Sequence, residues 1–202
     1  ISDNNNYFLT LLFTLCLTAI SFGQVIITEL ADPNGELTGR YVEIYNVSSS
    51  PVDLTGWALQ RWTNDNTDPT TSANVDLSSI GTLASGSFAI IARDESAFQT
   101  IYGISADIDA GDGGPADSNG DDQIAIIDAS DNIIDIFGVP EEDGTGTCHE
   151  FEDGRAERIG SVAASAAVWD ESEWNVWADS TVSGCTSHTN SPRTAPGDYD
   201  PG

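Results

Sequence analysis

Between Val25 and Trp62 the chain repeats one pattern: a short β-branched or aromatic run, then turn residues. The runs are VIITEL, RYVEIYN and WALQRW, with PVDLTG ahead of the last. In the second run Val42 and Ile44 alternate with Tyr41, Glu43 and Tyr45, and WALQRW alternates again. A period of two sends successive side chains to opposite faces of a strand, so these runs predict strands with one face buried. Residues 25–30 are almost continuously apolar, and Asp32-Pro33-Asn34-Gly35 is a turn by composition. Residues 52–54, 75–77 and 88–92 read as further strands. Residues 123–128 and 133–137 flank Ala129-Ser130-Asp131-Asn132 and read as a hairpin. Residues 95–102 form the one convincing helical stretch, with Ala97, Phe98 and Ile101 on one side. About eight strands with one short helix predict an all-β sandwich rather than an α/β sheet.

Charge narrows the partners. The chain carries 33 Asp and Glu against 6 basic residues, a net charge of −27, and every basic residue is arginine. Binding nucleic acid rests on neutralising phosphates with Lys and Arg, so this surface predicts no nucleic-acid partner. Docking on anionic membranes is disfavoured for the same reason. Two readings of the acidity remain open: solubility in a salty or calcium-rich exterior, where self-repulsion is screened, or functional cation binding.

The N-terminus reads as a targeting signal. The apolar stretch over residues 7–20 is short and threonine-rich for a membrane span, and Ser21-Phe22-Gly23 puts small residues at −3 and −1 of a cut before Gln24. The preceding ISDNNN has no positive charge and the sequence has no methionine, so the natural start is expected upstream. Residues 138–178 show no clear period, but Trp169, Trp174 and Trp177 suggest that they pack on the sandwich. Residues 186–202 are rich in Pro, Gly, Ser and Thr and read as a linker, with more protein expected beyond it. The expected organisation is a signal peptide over 1–23, a sandwich domain with a C-terminal extension over 24–178, and a linker-like tail over 179–202. After signal cleavage no membrane contact is expected, and the protein is placed outside the cell or on its surface.

The ordered series VIITEL, YVEIYN, PVDLTGW, LASG leading into FAIIAR, AFQTIYG and DDQIAIIDASDNIIDIFG resembles the lamin-tail domain family, specifically its bacterial secreted branch. The likeness spans residues 25–138, and DGRAER and SEWNVW resemble extensions seen in that branch. It implies an immunoglobulin-like sandwich acting as an extracellular module beside nuclease, phosphoesterase or protease domains, or ahead of a sorting domain. The family offers no catalytic residues to carry over. Its nuclear members contact proteins and chromatin, and the charge here makes chromatin a poor guide.

Four clusters are candidates for chemistry. Cys148 and Cys185 are the cysteines left after signal cleavage, and an even pair in a secreted chain reads as a disulfide. Asp112, Asp117, Asn119, Asp121 and Asp122 lie on a Gly-rich stretch whose oxygens suit Ca²⁺. Asp117-x-Asn119-x-Asp121 follows the first ligand positions of a calcium loop, but the expected glycine is Asp122, and the alternative is a solvated loop. Trp169, Trp174 and Trp177 stand among carboxylates, either as a platform for sugar rings or as apolar cover on a core edge. His149-Glu150 has no second histidine at ligand spacing, so no catalytic metal is expected. The function expected is a non-catalytic binding or spacing module with a protein or glycan partner. The alternatives are an accessory domain of a secreted hydrolase and a self-assembling surface protein.

Overall fold

The computed structural model describes residues 25–201, so the expected signal peptide over 1–23 lies outside the described residues. In chain order the strands are β1 (Val25–Ala31), β2 (Tyr41–Asn46), β3 (Val52–Asp53), β4 (Ala58–Trp62), β5 (Val75–Asp76), β6 (Thr82–Leu83), β7 (Phe88–Ala92), β8 (Ile108–Asp109), β9 (Gln123–Ile127), β10 (Ile133–Phe137), β11 (Arg155–Arg158) and β12 (Trp174–Trp177). One helix, α1 (Glu95–Tyr102), lies between β7 and β8. A six-stranded sheet in the order β12-β11-β1-β2-β7-β8 faces a four-stranded sheet in the order β10-β9-β4-β5, and β3 pairs with β6 as a small ribbon. The pairing is antiparallel except between β7 and β8. This is the immunoglobulin-like β-sandwich that the strand pattern and the resemblance predict.

The period-two residues meet between the sheets. Val25, Ile27, Leu30, Val42 and Ile44 of the larger sheet pack with Leu59, Ile124, Ile126 and Phe137 of the smaller. Each buried Val, Leu, Ile or Phe stabilises by about 1.5–3 kcal/mol relative to exposure, so this interleaving is what fixes the strand register. The helix begins where Asp94 accepts a hydrogen bond from Ala97 N–H and ends at Gly103 in the left-handed region.

Three features depart from expectation. First, β2 has no exposed face: all six of its residues are buried. Its outer side is covered at one end by α1, where Tyr41 meets Phe98 and Tyr102 edge-on at 5.2 and 5.5 Å. At the other end the C-terminal segment covers it, with Tyr199 against Tyr45 at 5.1 Å. Second, the residues read as a linker therefore pack on the domain. Gly197 lies so close to the sheet that a Cβ there would meet the Phe88 ring at 2.7 Å, and its N–H donates to Glu43 Oε2. Glycine lets the backbone lie flat against that ring, and the same composition mimics a linker. Third, residues 138–178 supply β11 and β12, which extend the larger sheet past β1. Their period is masked by charge, because the core side of β11 includes Arg158, paired with Asp135 of β10 at 2.9 Å.

Candidate functional site

The Asp-rich stretch between β8 and β9 is organised by arginine. Asp117 closes a short 3-10 turn, Pro115–Asp117, and its Oδ1 accepts from Arg93 Nε at 2.6 Å and Arg40 Nη1 at 3.2 Å. Its Oδ2 accepts from Gly113 N–H at 2.8 Å. Against the cost of partial burial, the Gly113 N–H and the two guanidiniums hold Asp117 below the usual carboxylate range. Asp112 takes the other arm of Arg93 at 2.7 Å, and Asp122 pairs with Arg61 at 3.1 Å. Asp121 Oδ2 accepts from Asn64 Nδ2 at 2.9 Å, and Asn119 is exposed. Asp112, Asp117, Asn119, Asp121 and Asp122 thus do not converge on one point. Against the calcium-loop expectation, Arg40, Arg61 and Arg93 pair with Asp112, Asp117 and Asp122, while Asp121 is held by Asn64.

The tryptophans do not form one exposed platform. Trp174 is sealed in the core against Phe137 at 4.8 Å, under the guanidinium of Arg158. Trp177, three residues on, falls on the opposite face of β12, where Arg155 lies 4.7 Å from its ring centroid. Trp169 packs edge-on against Phe137 and His149 at 6.0 and 5.4 Å. Trp169 and Trp174 are apolar cover on the core, while Trp177 lies on the outer face, and two arginines are held by cation–π contact with Trp174 and Trp177.

Cys148 and Cys185 are bonded, with 37 residues of sequence separation. A loop of that size stabilises by about 4 kcal/mol in the chain-entropy account. The bridge anchors the start of the C-terminal segment beside His149, which is buried with Nε2 3.1 Å from Glu142 Oε2. Burial lowers the His149 pKa, opposed by Glu142.

A cleft of about 690 Å³ opens where the C-terminal segment crosses the sheet edge. Its walls include Asn34 after β1, Tyr102 at the end of α1, Asp153, Asp179, Asn190 and Arg193. Asn34 Nδ2 donates to Asp153 Oδ2 at 3.3 Å, and Arg193 Nη2 donates to the Ile101 carbonyl at 2.7 Å. Arg193 has no carboxylate within ion-pair distance among the described residues, unlike Arg40, Arg61, Arg93, Arg155 and Arg158. Sequence reasoning missed this cleft because one wall is the segment read as a linker. The only hint was Arg193, a basic residue standing in an acidic chain.

Compared with known families, residues 18–141 match the model of the Lamin Tail Domain. No curated protein matches the chain. The match runs through the described strands from β1 to β10, while β11, β12 and the cleft wall at residues 189–194 lie past it.

Proposed function

The chain belongs to the lamin tail domain family of immunoglobulin-like, non-catalytic domains, and on that premise we propose that it is an extracellular binding or spacing module of a larger secreted or cell-surface protein. The cleft carries this reading. It is lined by amide, carboxylate, phenol and guanidinium groups together with the apolar Pro33, Ile101 and Ala178, a set suited to a protein loop or a glycan. The Cys148–Cys185 bridge supports an oxidising compartment. A net charge of −27 argues against nucleic acid and anionic lipid as the partner.

The test is to fill the cleft without touching the core. Ser191→Trp places a bulky ring in a half-buried wall position. The purified chain and this variant are compared for binding to a glycan array and to a panel of extracellular peptides, with melting as a check on folding. The expected result is capture by the native chain that the variant loses at an unchanged melting temperature. Equal capture by both would remove the cleft as the binding surface.

A further inference from the structure

We propose that Asn34 is a self-modification site, at which the Gly35 backbone nitrogen attacks the side-chain amide and turns it into a carboxylate. The sequence holds two Asn–Gly pairs, Asn34-Gly35 and Asn119-Gly120. The fold treats them in opposite ways.

Asn34-Gly35 lies in the turn after β1. Glu36 N–H closes that turn by donating to the Pro33 carbonyl at 3.0 Å, with Gly35 at a φ of +72°. Both residues are exposed, and a Cβ at Gly35 would meet nothing within 4 Å. Among the described residues the Gly35 N–H has no acceptor. Asn34 Nδ2 donates to Asp153 Oδ2 at 3.3 Å, an exposed contact at the long end of the hydrogen-bond range. The nucleophile, the amide carbon and the room to bring them together are all present here.

At the second pair the nucleophile is withdrawn. Asn119 is exposed, but Gly120 is buried and its N–H donates to Ser118 Oγ at 3.2 Å. The Gly120 carbonyl accepts from Phe151 N–H at 2.8 Å, and a Cβ at Gly120 would run into the Glu152 backbone. Its nitrogen cannot swing toward the Asn119 amide without breaking this packing.

The chemistry balances without a cofactor. The Gly35 nitrogen gives its proton to solvent base and bonds to Asn34 Cγ. The bond from Cγ to Nδ2 breaks, and that nitrogen takes a proton from water and leaves as ammonia. Water then opens the cyclic imide at either carbonyl, giving aspartate or isoaspartate, and nothing is oxidised or reduced. Attack within one chain depends on how readily the two atoms reach contact, so local geometry sets the rate. Glycine favours it because no side chain crowds the approach.

The product changes the rim of the cleft, which Asn34 and Asp153 both line. A donor facing Asp153 becomes a second carboxylate, and the two like charges repel. The modification itself needs nothing bound in the cleft; only its effect on capture rests on the binding role proposed above.

The experiment is peptide mapping by mass spectrometry of the purified chain, held for weeks in neutral buffer at physiological temperature. Parallel samples are kept folded and in denaturing urea. In the folded chain Asn34 should convert at least severalfold faster than Asn119, with isoaspartate exceeding aspartate. In urea the two rates should draw together, because both pairs are then free. Gly35→Ala should slow conversion at residue 34 severalfold by crowding the nitrogen. Asn34→Gln should slow it too, because the ring would need a sixth member, and it leaves the turn glycine in place if Gly35→Ala disturbs the fold. Melting checks that both variants fold. The proposal is overturned if Asn34 keeps its amide as long as Asn119 does in the folded chain. It is also overturned if aspartate forms without isoaspartate, which marks direct hydrolysis, or if folded Gly35→Ala converts at the native rate. A difference between the two pairs that persists in urea would overturn the selection by the fold.

Discussion

Asp135 and Glu29 are both carboxylates sealed by the sandwich, and they are handled in opposite ways. Asp135 sits between the sheets and receives three donors. Arg158 Nη2 reaches it at 2.9 Å, Ile27 N–H at 2.8 Å and Ala166 N–H at 2.9 Å. The Ile27 N–H is available because β11 pairs with β1 only over Glu29, Leu30 and Ala31. Glu29 lies on the outer face of the same sheet, in cross-strand register with Glu43 of β2 on one side and Glu157 of β11 on the other. One guanidinium, that of Arg155, serves both Glu29, at 3.0 Å, and Glu157. Glu43 relies on Thr28 Oγ1 at 2.7 Å and the Gly197 N–H of the covering segment. Burial raises Asp135 to about 6, held there by Arg158 and the two backbone donors. Burial, reinforced by Glu43 and Glu157, raises Glu29 to about 8. Depth of burial is similar, so the number of donors per carboxylate decides which group keeps its charge and which keeps a proton.

The contrast breaks most visibly at Arg158. Arg158→Met keeps the apolar stem over Trp174 but leaves Asp135 buried with only its backbone donors. Loss of one partner of a buried pair costs roughly 3–5 kcal/mol, to be read from urea unfolding near neutral pH. Replacing both, as Arg158→Met/Asp135→Leu, should recover much of that loss, because a well-packed apolar pair has no charge to desolvate. If single and double variants unfold alike, Asp135 does not depend on Arg158.

Glu29 sharpens the other half. An unfolded glutamate ionises near 4.5, whereas Glu29 in the folded protein ionises near 8. The folded state therefore holds an extra proton between these values. The stability this proton contributes is fully present below about pH 4.5 and is lost as pH rises to about 8, at about 1.4 kcal/mol per pH unit. Glu29→Gln mimics the protonated side chain and cannot ionise. Its unfolding free energy should be flatter than that of the native chain by that slope, measured by denaturant titration from pH 5 to 8. Parallel profiles would mean that Glu29 is already ionised in the folded state.

The same contrast explains what was legible in the sequence. β1, β2, β4, β7, β9 and β10 carry their own signal, since alternation and flanking turn residues are local. RAER in β11 does not, because whether Arg158 faces a core depends on Asp135, 23 residues earlier. In the Asp-rich stretch the spacing of Asp117, Asn119 and Asp121 resembles a metal loop. Arg40, which occupies Asp117, lies 77 residues away and reaches it only through strand pairing. Residues 189–194 read as linker because Pro, Ser and Thr signal no period, while their role rests on backbone fit and one buried threonine, Thr194. Counter-charge is a long-range property, and composition reports only its total.

The smallest effect tests the rule where burial fails. Arg93 holds two carboxylates: Asp117, whose side chain is 15% exposed, through Nε, and Asp112, 82% exposed, through Nη2. The distances, 2.6 and 2.7 Å, are nearly equal. Solvent screens the Asp112 pair, so Asp112→Asn should change stability by less than about 0.5 kcal/mol. Asp117→Asn removes a charge that accepts from Arg40, Arg93 and Gly113 together, and should cost about 1–3 kcal/mol. Matched urea titrations of the two variants separate these outcomes. Equal losses would show that contact distance alone sets the strength of an arginine pair here. Unequal losses in the stated order would place the Asp112 contact among the solvated charges and leave Asp117 as the residue that fastens the loop to Arg40 and Arg93, which flank β2 and β7.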